Sequence, residues 1–420
     1  MRAVMSEAEW LVCLLAIFLS PLAVAGLALL QTGFGRSRGA AHAMLAAMGG
    51  FGTAALLYLL VGHALAGLGG GAGACVQIGG RAWDLVGSGR LMMRGLSWGM
   101  DSASLAAAFG IIAAGVAAMI PLGACADRLR LWPSLASAAI LGGFIFPVMA
   151  HWTWGAGWLA QLGAIGGSAT LDSGGAAAIH ALGGLSALAL CWIAGARHGK
   201  YDSHAMAIPG HNMVHVLFGC LLLLAGWTAI DTAGALLFAG AHLGALPRIA
   251  INNVAASAAG LLASLAVTRT RYGKPDASIG ANGFCIGVVS VSACCAAASP
   301  LAATVIGAVA GVLVPFAVEW IDRAGIDDSS GAIAVHALGG LWSLLAAAIV
   351  VSGQWLAQLA VISALLGFAF PASYLLNLLL NRFTGLRTSP EGERVGLDMA
   401  ELGSGAYPDQ AQTGNNPAFR

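Results

Sequence analysis

Eleven long apolar segments constrain the fold of this chain more than any other feature. Each is long enough to cross a lipid bilayer as a helix. Of the 420 residues, 59% are hydrophobic and only 9% are charged, which is too few charges for a soluble protein of this size. The sequence therefore predicts an all-α polytopic membrane protein with spans near 9–32, 41–67, 98–125, 132–152, 174–197, 208–230, 246–268, 277–297, 299–322, 330–352 and 355–381.

Positive charges are concentrated in alternate loops, which indicates the orientation. The intervening loops 153–173, 231–245 and 353–354 contain only Asp172 and Asp231 as charged residues. Basic loops remain on the cytoplasmic side, so the N-terminus is predicted outside and the C-terminus inside a cell inner membrane. The charges that support this orientation are Arg36, Arg38, Arg128, Arg130, Arg197, Lys200, Arg269, Arg271, Lys274, Arg323, Arg382 and Arg387.

A polar motif occurs twice, once at the start of the fifth span and once at the start of the tenth. It reads Asp-Ser-x-Gly-Ala-x-Ala-(Ile/Val)-His-Ala-Leu-Gly-Gly-Leu-x-x-Leu, from Asp172 through His180 and from Asp328 through His336. Eleven spans then divide into five, five and one, so the two halves have opposite topology and share a site near the midplane. The predicted division is repeats at about 9–197 and 208–352, an extra helix at 355–381, a membrane domain at 1–382 and a cytoplasmic tail at 383–420.

The two histidines are the first candidates for a functional site. A charged imidazole is costly at membrane depth, where hydrocarbon cannot solvate it. One such histidine could serve only to hydrogen-bond a neighbouring helix. Two histidines at matching positions of two repeats favour a shared functional site, and we expect His180 and His336 to lie within hydrogen-bond reach of each other.

Several motifs, in order along nearly the whole chain, resemble those of the Amt/Rh ammonium transporters. The first two close the third and fourth spans, and the next three open the fifth span, the sixth span and the tenth span. The last lies in the predicted tail. They are Gly123–Arg130, Ala150–Gly155, Leu171–His180, Gly210–Asn212, Asp327–His336 and Gly385–Tyr407.

The resemblance implies a homotrimer that conducts ammonium or ammonia through one pore in each subunit. His180 and His336 match the twin histidines of the family pore, Asp172 the aspartate below the outer vestibule, and Trp154 the vestibule tryptophan. These roles agree with elementary chemistry. An aromatic face attracts an ammonium ion, and an imidazole can hydrogen-bond ammonia or accept a proton near physiological pH. Without the resemblance, Trp154 could equally be an anchor at the membrane interface. Asp172 could equally be a cap of the fifth helix, and Asp328 would then cap the tenth.

The sequence departs from the family pattern around the vestibule. Ala113 and Ile230 stand where the resemblance places the two gate phenylalanines, and Gly234 and Asp231 stand where it places a serine and an asparagine. We expect an outer cavity that is wider than usual or is refilled by other aromatic side chains. The candidates for refilling are Phe109, Trp152 and Trp227. Asp231 is expected at the outer rim, where its charge would meet an arriving cation.

Other functions remain as alternatives to ammonium transport. A wide aromatic site with an added acid would suit a larger amine, such as methylamine or a quaternary ammonium. The chain could also be a sensor that acts through a partner, and a PII-type regulatory protein at the cytoplasmic face is a candidate partner. A membrane enzyme is disfavoured because no nucleophile or metal-ligand set is evident, although His211 and His215 lie one helical turn apart. No cofactor and no nucleic-acid partner is predicted.

Overall fold

The computed structural model describes residues 5–68, 73–166, 169–201 and 208–407. Within these residues, eleven helical segments are long and apolar enough to cross a membrane, which confirms the predicted number. They are labelled α1 to α11 in chain order: Glu7–Phe34, Ser37–Ala66, Ser102–Ala124, Leu131–Leu162, Ala176–Ala194, Met213–Phe238, Leu243–Tyr272, Ala277–Cys294, Pro300–Arg323, Ile333–Val350 and Trp355–Thr384.

Several of these spans change helix type or break along their length. A π-helical turn accommodates one extra residue, and such turns are frequent at functional positions. The regular helices of the interrupted spans are Glu7–Leu19 and Pro21–Phe34 in α1; Ala40–Leu57 and His63–Ala66 in α2; Leu131–Ile140, Phe146–Thr153 and Trp158–Gly166 in α4; Leu182–Ala194 in α5; Leu246–Tyr272 in α7; Ala277–Val289 in α8; Gly339–Val350 in α10; and Trp355–Ala364 and Phe370–Thr384 in α11. The π-helical turns are Tyr58–Gly62, Leu141–Ile145, Ala176–Ala181, Ile333–Leu338 and Leu365–Ala369.

A short antiparallel hairpin lies between α2 and α3 and was not anticipated by the all-α prediction. Its strands are β1, Ala74–Ile78, and β2, Arg81–Val86. Gly79 and Gly80 form the turn with φ of 62° and 75°. Positive φ at both turn residues is what a tight two-residue hairpin turn requires, and glycine adopts it without strain.

The two repeats interlock where the duplicated motif brings backbones into close contact. A methyl carbon added at Gly184 of α5 would lie 2.1 Å from the Ala337 nitrogen of α10. In the reciprocal contact, a methyl carbon at Gly340 of α10 would lie 2.6 Å from the Ala181 nitrogen of α5. Each histidine-bearing π-helical turn is therefore packed against a glycine of the other repeat, as small-residue contacts between membrane helices allow.

The interior of the bundle is formed by the helices nearest the repeat axis. In α3 and α5, 83% of the most apolar stretch is buried, compared with 28% in α2 and α11. A helix that is apolar on all sides and buried belongs to the centre of a membrane bundle, whereas the exposed apolar faces of α2 and α11 suit lipid. The central pair therefore surrounds the duplicated histidines.

A buried ionic cluster joins α3, α5 and α10 at the end of the bundle that carries the basic loops, here called the basic face. The Arg197 guanidinium contacts Asp127 at 3.0 Å and Asp327 at 2.8 Å, and Arg128 Nη1 lies 3.8 Å from Asp327. Burial alone would raise the pKa of Asp327, but hydrogen bonds from Arg197 and the charges of Arg128 and Arg197 hold it below its ordinary value. The cluster fixes these three helix ends relative to one another.

The chain after α11 packs against the basic face. It contains a short helix, α12, Pro390–Val395, and a π-helical turn at Asp398–Leu402. Arg387 donates to the Ala194 carbonyl at 3.0 Å, and the Asp398 carboxylate accepts from the backbone nitrogen of His42 at 2.8 Å. These contacts link the start of the predicted tail to α5 and α2. The last part of that predicted tail, 408–420, lies outside the described residues.

Candidate functional site

The two histidines of the duplicated motif meet at the centre of the bundle. His180 Nδ1 lies 3.2 Å from His336 Nδ1, and the two rings are nearly parallel at 14°. Both side chains are buried, with 2% and 4% exposure. The prediction that they lie within hydrogen-bond reach is confirmed geometrically. It follows directly from the interlocked π-helical turns described above.

The short Nδ1–Nδ1 distance constrains where the protons are. One Nδ1 must donate and the other must accept, because two N–H groups or two lone pairs would repel at 3.2 Å. In a neutral pair, one ring then has an acceptor at Nε2 and the other has a donor at Nε2. Together they offer a small solute one donor and one acceptor in an otherwise apolar passage.

Trp227 of α6 packs against both histidines and forms one wall of this passage. Its ring meets His180 and His336 nearly edge-on, with centroid distances of 5.2 and 5.6 Å. A small cavity of about 10 Å³ lies beside His336 and Trp227, and Gln31, Asn282 and Ser330 add polar groups to its wall. The sequence suggested Trp227 as a filler of the outer vestibule. The structure instead places it at the level of the histidines.

Asp172 and Asp328 cap the two histidine-bearing helices. The Asp172 carboxylate accepts from the backbone nitrogens of Ala177 and Ala178 at 3.1 and 3.2 Å, and the Asp328 carboxylate accepts from the backbone nitrogens of Ala332 and Ile333 at 3.0 and 2.7 Å. The predicted capping is confirmed for both repeats. Burial raises the pKa of Asp172 to about 6, although the backbone hydrogen bonds lower it.

Trp154 joins Asp172 to an aromatic cluster. Its Nε1 donates to the Asp172 carbonyl at 2.8 Å, and its ring stacks on Phe238 at 4.8 Å and 7°. Phe109 packs edge-on against both rings, at 5.5 Å from Trp154 and 5.6 Å from Phe238. These three residues, Phe109, Trp154 and Phe238, are called the aromatic cluster below. The sequence predicted an outer cavity that is either wider than usual or refilled by other aromatic side chains. The aromatic cluster supports the second of these expectations.

Phe238 was missed by the analysis of the sequence, and Trp152 was assigned to the wrong place. Phe238 lies one helical turn beyond Gly234 on α6, and that spacing was the available signal. Trp152 points to another part of the outer bundle, where it packs on Phe368 at 4.7 Å and donates to the Leu85 carbonyl at 2.6 Å. Of the three residues predicted to refill the cavity, Phe109 is the one that belongs to the aromatic cluster.

Asp231 does not lie at an outer rim, and this expectation is wrong. Its side chain is buried, with 1% exposure, and its carboxylate accepts from Asn253 Nδ2 at 2.8 Å and Ser292 Oγ at 2.6 Å. These donors come from α7 and α8. Asp231 therefore ties three helices together and offers no free charge to an arriving cation.

The other departures from the family pattern are also packing positions. A methyl carbon at Gly234 would lie 2.1 Å from the Ser173 carbonyl oxygen, so no larger residue fits there without movement. Ala113 and Ile230 are both buried with 1% exposure. Ala113 lies one turn from Phe109 along α3, and Ile230 lies between Trp227 and Phe238 along α6. Both are therefore apolar packing positions on the two helices that carry Phe109 and Phe238.

Comparisons with known proteins agree with this geometry. The family model described as Ammonium Transporter Family matches residues 9–407. The chain is 34% identical to "Ammonium transporter Amt2" of Archaeoglobus fulgidus over 423 residues, which cover 93% of this chain and 86% of the relative. Among solved structures, a "Sensor Amt Protein" matches with a TM-score of 0.82 at 26% identity, covering 94% of this chain and 98% of the other. Candida albicans Mep2 shares the fold with a TM-score of 0.79 at 22% identity, covering 98% and 93%.

Proposed function

The chain belongs to the ammonium transporter family, and on this premise we propose that it conducts ammonium or ammonia across a membrane through a central pore in each subunit. The observation that carries the proposal is the buried His180–His336 pair, with Nδ1 atoms 3.2 Å apart and a small cavity beside His336. Ionisable side chains inside a membrane bundle are rare because their burial is costly, and they commonly mark a pathway for a solute or a proton.

The aromatic cluster and Asp172 would recruit the cation. Trp154 offers a π face, and the Asp172 carboxylate below it would supply a negative field. In this structure Phe238 is stacked on the Trp154 face, so a cation reaches that face only when Phe238 moves aside. Phe238 thus acts as the aromatic gate in place of Ala113 and Ile230, about two turns beyond Ile230 along α6.

The histidine pair would carry neutral ammonia. A bare ammonium ion beside this buried pair would lose its hydration with no counter-charge beside it, which is prohibitive. Ammonia can donate to one Nε2 and accept from the other, so the pair replaces two of its hydrogen bonds to water. The ammonium ion would therefore give its proton to water on the outer side, and neutral ammonia would then pass the histidines.

Two alternatives are retained on specific observations. The 26% identity to a "Sensor Amt Protein" favours an ammonium sensor that acts through a partner as the second candidate. A larger amine, such as methylamine or a quaternary ammonium, is less favoured because Phe238 fills the space beside Trp154. The assembly proposed with the main function is a homotrimer in the cell inner membrane, with the N-terminus outside and the basic face in the cytoplasm. A PII-type regulatory protein is the proposed partner at that face, where α12 lies.

Current measurement on proteoliposomes tests this proposal. The purified protein is reconstituted on a solid-supported membrane and exposed to ammonium, methylammonium, tetramethylammonium, sodium and potassium. A current or a radiolabel flux for ammonium alone supports the proposal, and His180→Ala should abolish it or change its selectivity. Ammonium binding without flux or current supports the sensor, and an equal response to tetramethylammonium supports the larger-amine alternative.

A further inference from the structure

The loop 171–174, which leads into α5 and is called the α5 loop below, is attached to the second repeat by backbone hydrogen bonds. The Ser173 nitrogen donates to the Ala293 carbonyl at 3.2 Å, and the Gly174 nitrogen donates to the Ser292 carbonyl at 2.9 Å. Ser173 Oγ is a second donor to the Ala293 carbonyl, at 2.9 Å. Both acceptors belong to the single turn Ser292–Cys294 that ends α8, called the α8 turn below.

The α8 turn is itself held by polar side chains that are buried in the bundle. Ser292 Oγ donates to Asp231 Oδ1 of α6 at 2.6 Å, and Asn253 Nδ2 of α7 donates to Asp231 Oδ2 at 2.8 Å. The Ala293 nitrogen donates to Ser343 Oγ of α10 at 3.0 Å. These four side chains are at most 1% exposed. Because a buried polar group that loses its partner is costly, this network fixes the position of the turn.

The α5 loop lies directly on the hydrogen bond between Ser292 and Asp231. A methyl carbon added at Gly174 would lie 1.6 Å from Asp231 Oδ1 and 2.5 Å from Ser292 Oγ. Glycine therefore lets the loop backbone touch both partners of this hydrogen bond. A change in the position of Ser292 is passed directly to the loop.

The α5 loop in turn positions the groups that are proposed to recruit the cation. Asp172 lies in this loop, and its carbonyl accepts from Trp154 Nε1 at 2.8 Å. The Asp172 carboxylate caps α5 through the nitrogens of Ala177 and Ala178. The hydrogen bonds thus form a continuous path from Asp231 through Ser292 and the α5 loop to the Asp172 carboxylate.

We propose that Ser292 and Asp231 are positioning residues for cation recruitment. They hold the α5 loop, and through it the Asp172 carboxylate, in the arrangement that binds the ammonium ion. Asp231 acts as a hydrogen-bond acceptor, since Ser292 and Asn253 occupy its two oxygens. The effect on ammonium rests on the proposed function, whereas the attachment of the loop to the α8 turn does not.

Hydrogen–deuterium exchange of the full chain in lipid nanodiscs tests the attachment without any transport. In Ser292→Ala, the peptide that spans 171–180 should exchange about three- to tenfold faster than in wild type, the range that loss of one hydrogen bond gives. Ser290→Ala is the matched control, because Ser290 is equally buried but its hydroxyl donates to the Gly287 carbonyl within α8. This control should keep the wild-type exchange of that peptide. Unchanged exchange in Ser292→Ala, or equal acceleration in Ser290→Ala, overturns the proposal.

Ammonium currents on a solid-supported membrane test the positioning role. In Ser292→Ala, KM for ammonium should rise about three- to tenfold while the maximal current stays near wild type. In an Asp172→Asn background, Ser292→Ala should leave KM unchanged, because the carboxylate charge through which it acts is gone. The same fold increase in both backgrounds would show that the two residues act independently, and it would overturn the positioning role. A lower maximal current with unchanged KM would also overturn it.

The conservative variant Asp231→Asn separates hydrogen bonding from charge. The new amide oxygen still accepts from Ser292, and Asn253 Oδ1, which lacks a partner among the described residues, can accept from the new amide nitrogen after the Asn253 amide rotates. KM and exchange should stay near wild type, whereas Asp231→Ala should reproduce both effects of Ser292→Ala. A raised KM with wild-type exchange in Asp231→Asn would show that the charge itself attracts the cation, which refutes positioning by Asp231.

Failure of the proposed function gives a different result from failure of the attachment. If the exchange results are as expected but the wild-type protein does not transport ammonium, the proposed function and the positioning role both fail, and the attachment of the α5 loop to the α8 turn stands. If ammonium is transported but the exchange of 171–180 is the same in Ser292→Ala and wild type, the proposed function stands and the inference fails.

Discussion

Replacing Gly184 with alanine should separate the twin histidines. The added methyl carbon would lie 2.1 Å from the Ala337 nitrogen and 2.7 Å from the His336 carbonyl carbon. An ordinary carbon contact needs about 3.5 Å, so α10 must move by about 1.4 Å. The two Nδ1 atoms are 3.2 Å apart, and a shift of this size takes them beyond hydrogen-bond distance.

The expected cost follows from the same geometry. Overpacking a tightly packed interior costs about 1–3 kcal/mol, and we expect Gly184→Ala near the upper limit because the obstructing atoms are backbone. Gly340→Ala meets its nearest atoms at 2.6 Å and should cost less. Gly52→Ala is the matched control, because nothing lies within 4 Å of its added carbon. Its effect should be neutral or stabilising by up to about 1 kcal/mol.

The assays are thermal unfolding in detergent and ammonium flux in proteoliposomes. Stability and flux should both increase in the order Gly184→Ala, Gly340→Ala, wild type, with Gly52→Ala matching the wild-type flux. The graded Gly340→Ala variant keeps the test informative if Gly184→Ala fails to fold. Wild-type stability and flux in both Gly184→Ala and Gly340→Ala would refute the idea that these close backbone contacts hold the histidine pair together.

Three further changes test the vestibule and the basic face. Asp172→Asn keeps the cap acceptor but removes the charge, so ammonium flux should fall while thermal stability changes little, and an unchanged KM for ammonium would count against recruitment. Phe238→Ala should uncover Trp154 and increase inhibition by tetramethylammonium relative to wild type; unchanged inhibition would contradict the gate. Asp327→Asn should cost about 3–5 kcal/mol in a detergent unfolding assay, because Asp127 alone would then face the two buried guanidinium groups of Arg128 and Arg197, whereas Asp322→Asn, at an exposed pair, should cost about 1 kcal/mol or less. The lowered pKa of Asp327 means that its contribution is present above the ordinary aspartate pKa and is lost only as pH falls through the lower folded value.

The sequence predicted the membrane spans and the histidine pair well because both leave a one-dimensional signal. Apolar length determines where a helix can cross, and the duplication places His180 and His336 at equivalent positions of two inverted repeats. The capping by Asp172 and Asp328 was predictable for the same reason. Each carboxylate precedes its own helix, so the contact is local in sequence.

The partners of Asp231 and the position of Phe238 could not be predicted in this way. Asp231 follows an apolar run, a pattern typical of a residue at the membrane rim, but its donors Asn253 and Ser292 lie 22 and 61 residues further along the chain. Phe238 lies about two turns beyond Ile230, the position on α6 where an aromatic residue was sought. Which turn of α6 faces Trp154 depends on how the helices pack, and periodicity alone does not determine it.

The unusual residues around the vestibule are parts of one packing arrangement. Gly234 lets the Ser173 carbonyl approach α6, where a methyl carbon would lie only 2.1 Å from that oxygen. On the other side of the same loop, the absence of a side chain at Gly174 leaves room for Asp231, since a methyl carbon there would lie 1.6 Å from Asp231 Oδ1. The loop that begins at Asp172 is therefore held tightly against α6, which fixes the cap of the His180 helix. A serine at position 234 would not fit beneath this loop, so the loop backbone takes the place of the expected serine hydroxyl. Phe238, one turn beyond Gly234 along α6, provides the aromatic ring that stacks on Trp154.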